Sequence, residues 1–251
     1  MKLSVCIISF NEELNIARTL KPLQGLADEI IVLDSFSTDK TVEIASTMGA
    51  KVYKEEWAGF IAQKNSALEK CTGEWVLSLD SDEVLTPEVV ESIKAALDGP
   101  QDINGYVIKR RTVYMGRLLK YAWQPDKHLR MVRRSAGPRW GGTDPHESLQ
   151  VQGKSAELEG FVLHYSYRDF AAHMATTQKY AHGAAKTYYA KGKKARRRDF
   201  LLRPPFALFK RLIIQQGLRD GVPGIIAGFS TALYTYMKYA FLWEMQNKKP
   251  E

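Results

Sequence analysis

Trp75-Val76-Leu77-Ser78-Leu79-Asp80-Ser81-Asp82 is an apolar run that ends abruptly on an acidic triplet. Its length and near-continuous hydrophobicity predict a strand buried on both faces, over residues 74–79. The same plan occurs twice upstream. Residues 3–9 lead into Asn11 and Glu12, and residues 29–33 lead into Asp34, Ser37 and Asp39. Between these strands lie stretches with helical patterning: residues 13–22 with Asn11 as the expected cap, 41–48, 58–70 and 87–97, the last opening with Pro87 behind Thr86. Residues 51–53 read as a short third strand. Alternation of this kind predicts an α/β fold with a parallel sheet and right-handed crossovers.

In such sheets ligands bind beyond the carboxyl ends of the strands. Three polar clusters fall there: Ser9, Asn11 and Glu12 after the first strand; Asp34, Ser37 and Asp39 after the second; Asp80 and Asp82 after the fourth. If the triplet continues the strand, Asp80 and Asp82 point the same way. Hard carboxylate oxygens suit Mg2+ or Mn2+, which keep positions open for phosphate. Taken alone, Asp-x-Asp reads equally as a solvated acidic turn before a helix. No Gly-x-Gly-x-x-Gly follows the first strand and no phosphate-binding P-loop is present, so a nucleotide site here must be built from side chains.

Residues 105–111, 127–133 and 149–152 are short and strand-like with Gly and Pro between them, which predicts a mixed-sheet continuation carrying loops. His164 closes the apolar run Phe161-Val162-Leu163, a position that points to a metal or phosphate contact; His146 has the same chemistry, while His128, His173 and His182 read as structural. Trp123, Trp140 and Tyr121 have faces that stack on sugars or fill a core. Trp123, beside Pro125-Asp126, is the stronger acceptor candidate, with Asp126 and Arg130.

From Asp169 onward the pattern is helical. The chain carries a net charge of +8, yet residues 186–219 alone hold 11 Lys/Arg against the single acid Asp199, a local +10. The basicity therefore belongs to one segment. Arg196-Arg197-Arg198, Lys210-Arg211 and Arg219 alternate with Phe200-Leu201-Leu202 and Leu212-Ile213-Ile214, as in a basic amphipathic element lying on an anionic membrane surface. A solvated helix face is the plainer alternative. No nucleic-acid motif accompanies the charge, so nucleic acid is not an expected partner. Residues 225–243 are apolar but interrupted by Lys238, and no charge-free stretch is long enough for a clear membrane span. The N-terminus reads as a buried strand and not as a signal peptide. Cys6 and Cys71 are too few for a disulfide framework and fit a reducing, cytoplasmic setting.

Four segments appear in order: Ser9-Phe10-Asn11-Glu12, Val32-Leu33-Asp34-Ser35-Phe36-Ser37-Thr38-Asp39, Gln63-Lys64-Asn65 and Asp80-Ser81-Asp82. Together they resemble the opening motifs of family 2 glycosyltransferases of the GT-A fold. Downstream, Trp123-Gln124-Pro125-Asp126, Leu129-Arg130-Met131-Val132-Arg133-Arg134, His146-Glu147 and Leu163-His164-Tyr165-Ser166-Tyr167-Arg168-Asp169 resemble the lipopolysaccharide core β-1,4-glucosyltransferase subgroup, which adds glucose to an inner-core heptose. The resemblance implies a Rossmann-like mixed sheet flanked by helices over residues 1–168, with a nucleotide-sugar half (1–100) and an acceptor half (101–168). Residues 169–251 then form a helical basic appendage.

The resemblance also implies roles. Ser9, Asn11 and Glu12 would line the nucleotide pocket, Asp34 would accept from uracil, Lys64 would approach the diphosphate, and Asp80 would lie near ribose or metal. Asp82 would ligate Mg2+ or Mn2+, with His164 reaching the metal or diphosphate. Two adjacent acids usually close the second-strand motif; here Ser35 takes the second place, so base recognition rests on Asp34. The Glu-Asp pair that often supplies the general base is missing, and Asp144-Pro145-His146-Glu147 stands in that region, with Glu147 preferred over Asp144. The implied reaction is an inverting, metal-dependent transfer of a hexose, glucose first, from a UDP-sugar to a lipid-linked core glycan at the inner face of the cell membrane. Another donor (rhamnose or galactose), a polyprenol-linked acceptor, or a non-catalytic membrane-surface adaptor are the alternatives.

Overall fold

The computed structural model describes residues 1–143 and 146–248. By internal contacts the chain divides into two units, one of residues 1–111 and 126–165, the other of residues 112–125 and 166–251.

The first unit is built on β1 (Leu3–Ser9), flanked by parallel β2 (Glu29–Asp34) and β4 (Trp75–Asp80), with the short β3 (Lys51–Lys54) beyond β2. The helices of this half are α1 (Ile16–Leu20), α2 (Thr41–Thr47), α3 (Phe60–Glu69) and α4 (Pro87–Leu97). β1 and β2 are buried almost throughout, as their unbroken apolar sequence requires. β3 is largely exposed and carries lysines, a composition that discourages further pairing at a sheet edge.

The remaining strands are β5 (Glu83–Leu85), β6 (Ile103–Tyr114), β7 (Arg117–Leu118), β8 (Lys127–Arg133), β9 (Arg139–Thr143), β10 (His146–Gln150), β11 (Lys154–Glu157) and β12 (Val162–His164). The main order is β3-β2-β1-β4-β8-β6-β12-β5, with β11 alongside β6. β8 joins β4 antiparallel, so the parallel half passes into a mixed sheet. β9 and β10 form a separate antiparallel pair.

Strand alternation sorts the core into two layers. Leu3, Val5, Ile7, Val32, Trp75, Leu77 and Leu79 pack with Ile16, Leu20, Val89 and Ile93. Cys6, Ile31, Leu33, Val76 and Val132 pack on the other face with Ala67, Leu68, Cys71, Trp140 and Leu149. Register aligns the strand ends: Ser9 pairs with Asp34, and Ile8 with Asp80. By parity Ser9 and Asp34 project to the first layer, and Asp80 to the second.

Helix α1 is shorter than its sequence pattern predicts, and Asn11 does not cap it. Asn11 adopts φ 55°. The N–H groups of Asn11, Glu12 and Glu13 donate instead to Ser37 Oγ, Thr41 Oγ1 and Asp39 Oδ2 at 2.7–3.1 Å. Side chains of the second strand-end loop thus take the donors that would have opened the helix. The helix begins at Ile16 behind Asn15.

The second unit is mainly helical: α5 (Phe170–Ala190), α6 (Arg197–Leu201), α7 (Arg203–Phe209) running into a π-turn (Lys210–Ile214), a 3-10 turn (Gly217–Asp220) and α8 (Val222–Asn247). Asp169 caps α5 by accepting from Ala172 N–H at 2.8 Å. Gly224 and Gly228 let α8 approach its neighbours closely: a Cβ at Gly224 would lie 2.0 Å from Gly217 O, and one at Gly228 2.5 Å from Leu212 Cδ2. Among the described residues no helix is long and apolar enough to cross a membrane.

Candidate active site

Six of the sequence-predicted residues, Ser9, Asn11, Glu12, Asp34, Asp80 and Asp82, lie at strand ends of the first unit. The Asp34 carboxylate is fully buried (0% exposed). Its Oδ1 accepts from Ser9 Oγ at 3.1 Å and from Ser37 Oγ, and its Oδ2 from Ser37 N–H at 2.8 Å. A carboxylate has about four acceptor positions, so capacity remains on Oδ2. Asn11 closes the loop by accepting from Thr38 N–H at 2.8 Å. Burial lifts the Glu12 carboxyl above its ordinary range; a hydrogen bond from Asn15 opposes this, and the nearby charges of Asp82 and Asp39 add to it.

The acidic triplet does not continue the strand. β4 ends at Asp80, and Ser81 and Asp82 form a turn before β5. Ser81 O accepts from Thr19 Oγ1 at 2.7 Å, and Asp82 O from Tyr165 N–H at 3.0 Å. The turn separates two carboxylates that an extended segment would have aligned. Asp80 meets Lys64 (Oδ1–Nζ, 2.9 Å) and Arg130 (Oδ2–Nη2, 2.8 Å). Asp82 meets His164 (Oδ2–Nε2, 3.2 Å), because β12 pairs with β5 and sets His164 opposite Glu83.

Lys64, on α3, is 5% exposed. Its ammonium also contacts Glu147 Oε1 at 3.0 Å and sits 4.4 Å from the centre of the Trp140 ring. Glu147 is brought there by the β9–β10 pair, which Asn65 pins to α3. The Asn65 side chain donates to Trp140 O (3.0 Å) and accepts from Trp140 N–H (2.9 Å). Trp140 itself is buried in the second core layer.

Two residues that the sequence reading passed over organise this cluster. Glu83, 0% exposed, accepts from Arg130 Nη2 at 2.6 Å and Arg110 Nη1 at 3.2 Å, and its other oxygen accepts from Asp80 N–H at 3.0 Å. Arg110 also binds Asp126 through Nε at 2.7 Å, and Asp126 contacts His128 Nε2 at 2.6 Å. The legible signal was the third acid, Glu83, directly after the triplet, with arginines on two downstream strands. Arg130 is 4% exposed and engaged with Asp80 and Glu83, so it braces the Asp80 carboxylate.

The charges account for the ionisation. Burial alone would lift Asp80, but Arg130 and Lys64 hold it well below the usual carboxylate range. Burial also lifts Asp126, and His128 and Arg110 outweigh it and bring Asp126 to about 2. For His164 burial works downward, while the Asp82 charge and hydrogen bond leave it raised above its ordinary value.

Trp123 belongs to the helical unit, where it packs with Tyr114, Tyr167 and His173. Asp144 and the His146 side chain lie outside the described residues. Among the described residues no group of three or more His, Cys, Asp or Glu side chains forms a metal cage. Asp82 and His164 make a two-donor set. The Asp82 carboxylate is the hard donor of the two and suits an ion such as Mg2+ or Mn2+ that takes most of its shell from water and phosphate oxygens.

A parallel half whose strand ends gather carboxylates and a buried lysine, passing into a mixed sheet, with helices following, defines a GT-A glycosyltransferase. The chain belongs to glycosyl transferase family 2, whose description it matches over residues 4–147. It is 28% identical to the lipopolysaccharide core biosynthesis glycosyltransferase LpsC of Rhizobium meliloti, over 97% of this chain and 93% of that one. An uncharacterized glycosyltransferase of Rickettsia typhi is 29% identical over 98% of this chain and 88% of its own. Among solved structures, S. aureus TarS 1–349 shares the fold at TM-score 0.50 and 17% identity, covering 98% of this chain and 91% of that one. Glucosyl-3-phosphoglycerate synthase from Mycobacterium tuberculosis, in complex with phosphoglyceric acid, does so at TM-score 0.50 and 21% identity, covering 72% and 78%.

Proposed function

We propose that this glycosyltransferase moves a hexose, with glucose the first candidate, from a UDP-sugar to a heptose of a lipopolysaccharide inner core. Transfer proceeds with inversion, on a lipid-linked acceptor at the inner face of the cell membrane. The observation that carries the chemistry is the meeting of Asp80, Lys64 and Glu147 beside the Asp82–His164 pair. Similarity to LpsC supports the acceptor class. Residues 1–168 would supply the catalytic work, and the basic residues of 169–251 the attachment to an anionic surface.

The roles follow from charge. Lys64 bridges the carboxylates of Asp80 and Glu147. A bound diphosphate competes for the same ammonium, which releases Glu147 to accept the proton of the attacking hydroxyl. Asp80, braced by Arg130, keeps Lys64 in place. Asp34 offers Oδ2 to the base, with Ser9, Asn11 and Glu12 around it, and Asp126 faces the acceptor. Asp82 and His164 are the residues that would hold Mg2+ or Mn2+. The ion supplies Lewis-acid neutralisation of the leaving nucleotide diphosphate. Direct attack of the acceptor on the anomeric carbon needs no covalent intermediate.

The test is release of nucleotide diphosphate across a panel of UDP-glucose, UDP-galactose and a rhamnose donor, with heptose-containing core as acceptor. Turnover with UDP-glucose and an inverted linkage by NMR is expected. Preference for another donor would reassign the sugar, and no turnover with any donor would favour a non-catalytic adaptor.

A further inference from the structure

The helical unit holds a cleft of about 290 Å3 lined by Tyr188, Lys193, Lys194, Arg196, Arg198 and Arg203. Tyr239 and a single acid, Asp199, complete it. Five cations therefore surround one carboxylate, and that carboxylate is already spent. Asp199 is buried, with Oδ1 accepting from Arg203 Nε at 2.6 Å and Oδ2 from Arg196 N–H at 3.0 Å. Among the described residues no carboxylate oxygen lies within ion-pair distance of the Lys193, Lys194, Arg196 or Arg198 side chains, and Asp199, which feels the Arg198 charge, is bonded to Arg203. The Lys193 ammonium sits 4.1 Å from the Tyr188 ring centre, and the Lys238 ammonium 5.2 Å from that of Tyr239. The cleft is thus a small, open, cation-lined depression with phenols at its walls, below the size of sites that take drug-sized ligands.

The same unit also exposes apolar side chains in helical register. On α8 they are Val222, Ile225, Phe229, Leu233, Tyr236 and Trp243, each 37–66% exposed. Leu202, Phe206, Phe209 and Ile213, at spacings of four, three and four, form a second stripe along α7 and the π-turn. Helical faces of this kind normally turn to the core, yet here the buried face of α8 is a different one, with Gly224, Ala227, Gly228 and Leu242. A second copy of the chain could cover the stripes only by bringing two strongly basic segments together. An anionic bilayer covers them and neutralises the charge at once.

We infer that the Lys193–Arg203 cleft is a discrete binding site for the phosphomonoester headgroup of an anionic lipid, seated while the two apolar stripes enter the membrane interface. This deepens the proposed attachment to a membrane surface, on which it rests, from diffuse attraction to a stoichiometric headgroup site. A phosphomonoester carries up to two charges and three terminal oxygens, which match several converging cations. A phosphodiester headgroup offers one charge and fewer free oxygens.

The test uses the full-length protein and co-sedimentation with phosphatidylcholine vesicles containing phosphatidic acid, or phosphatidylglycerol at matched total charge. The wild type is expected to prefer phosphatidic acid. Lys193→Gln/Arg196→Gln should lose that preference, with partitioning onto phosphatidic acid weakened by about tenfold or more. Lys186→Gln/Lys210→Gln removes the same charge outside the cleft, and should weaken both vesicle types alike and keep the preference. Leu202→Ser/Phe206→Ser should weaken all partitioning. Equal losses in the two charge pairs, or no wild-type preference, would overturn the cleft in favour of diffuse attraction. Saturable binding of glycerol phosphate without any vesicle preference would assign the cleft to a soluble phosphate and overturn the lipid. Nucleotide diphosphate release, measured without vesicles, reads the transferase separately. Turnover without headgroup preference removes only the cleft, and preference without turnover removes only the transfer reaction.

Discussion

Lys64 and Glu147 are 83 residues apart in the chain, and their charged atoms meet at 3.0 Å. The same ammonium reaches Asp80 at 2.9 Å, so one buried cation on α3 joins Asp80 to the proposed general base. If donor diphosphate takes the Lys64 ammonium from Glu147, Glu147→Gln should lower kcat by roughly 10^2–10^4-fold, the usual worth of a general base. KM for the donor should change little. Steady-state nucleotide diphosphate release checks this, and an unaltered kcat would move the base elsewhere, with Asp144 next in line.

Asp82 lies in a turn, and among the described residues the ion pair it makes is with His164. Asp82→Ala should abolish transfer while leaving the fold intact, since the side chain is not part of the buried Asp80–Arg130–Glu83 network. Chelation with EDTA should do the same to the wild type, and Mn2+ or Mg2+ should restore it. Full activity in EDTA would rule out the metal.

Glu83 is buried beneath two arginines. Glu83→Gln keeps its shape and removes its charge, leaving Arg130 and Arg110 under-compensated. Breaking a buried pair typically costs about 3–5 kcal/mol, equivalent to a fall in Tm of roughly 10 °C in a chain of this size. Glu83 acts through Asp80, so donor KM should rise in the surviving protein. Thermal unfolding and donor kinetics together test it.

His173 is 2% exposed and accepts or donates one hydrogen bond with Tyr114 Oη at 2.7 Å. Burial lowers its pKa to about 4 from an ordinary 6.5. The unfolded chain therefore takes up this proton first, and the stability tied to neutral His173 is lost as pH falls from about 6.5 towards 4, by up to ~3 kcal/mol. His164, raised by Asp82, works in the opposite sense. The informative quantity is thus the difference between wild type and His173→Gln. Urea midpoints at pH 7 and pH 4.5 should converge in the variant relative to the wild type, and parallel pH dependence would refute the assignment.

Much of the nucleotide half was legible from local pattern. Continuous apolar runs at residues 3–9, 29–34 and 75–80 must be buried strands, and a buried parallel sheet leaves its polar residues at the strand ends. Ser9, Asp34, Asp80 and Asp82 could be picked out on that ground, and the motif order carried the family. The basic segment of residues 186–219 was equally plain, since charge is read directly from composition.

Other features depend on what meets across the fold. Asn11 has a good cap's chemistry, but its loop is held by Ser37, Thr38 and Asp39, which no local rule foresees. The Asp80–Asp82 pair parts because Thr19 and Tyr165 fasten the turn between them. Arg130 reads as an acceptor contact in sequence and is a buried brace in space. Hydrophobic period and motif spacing by themselves determined the four parallel strands, the fold class and the strand ends where chemistry occurs. Which carboxylate faces which cation was decided only by tertiary structure, because ion pairing depends on strand register and side-chain direction between segments 47 to 83 residues apart.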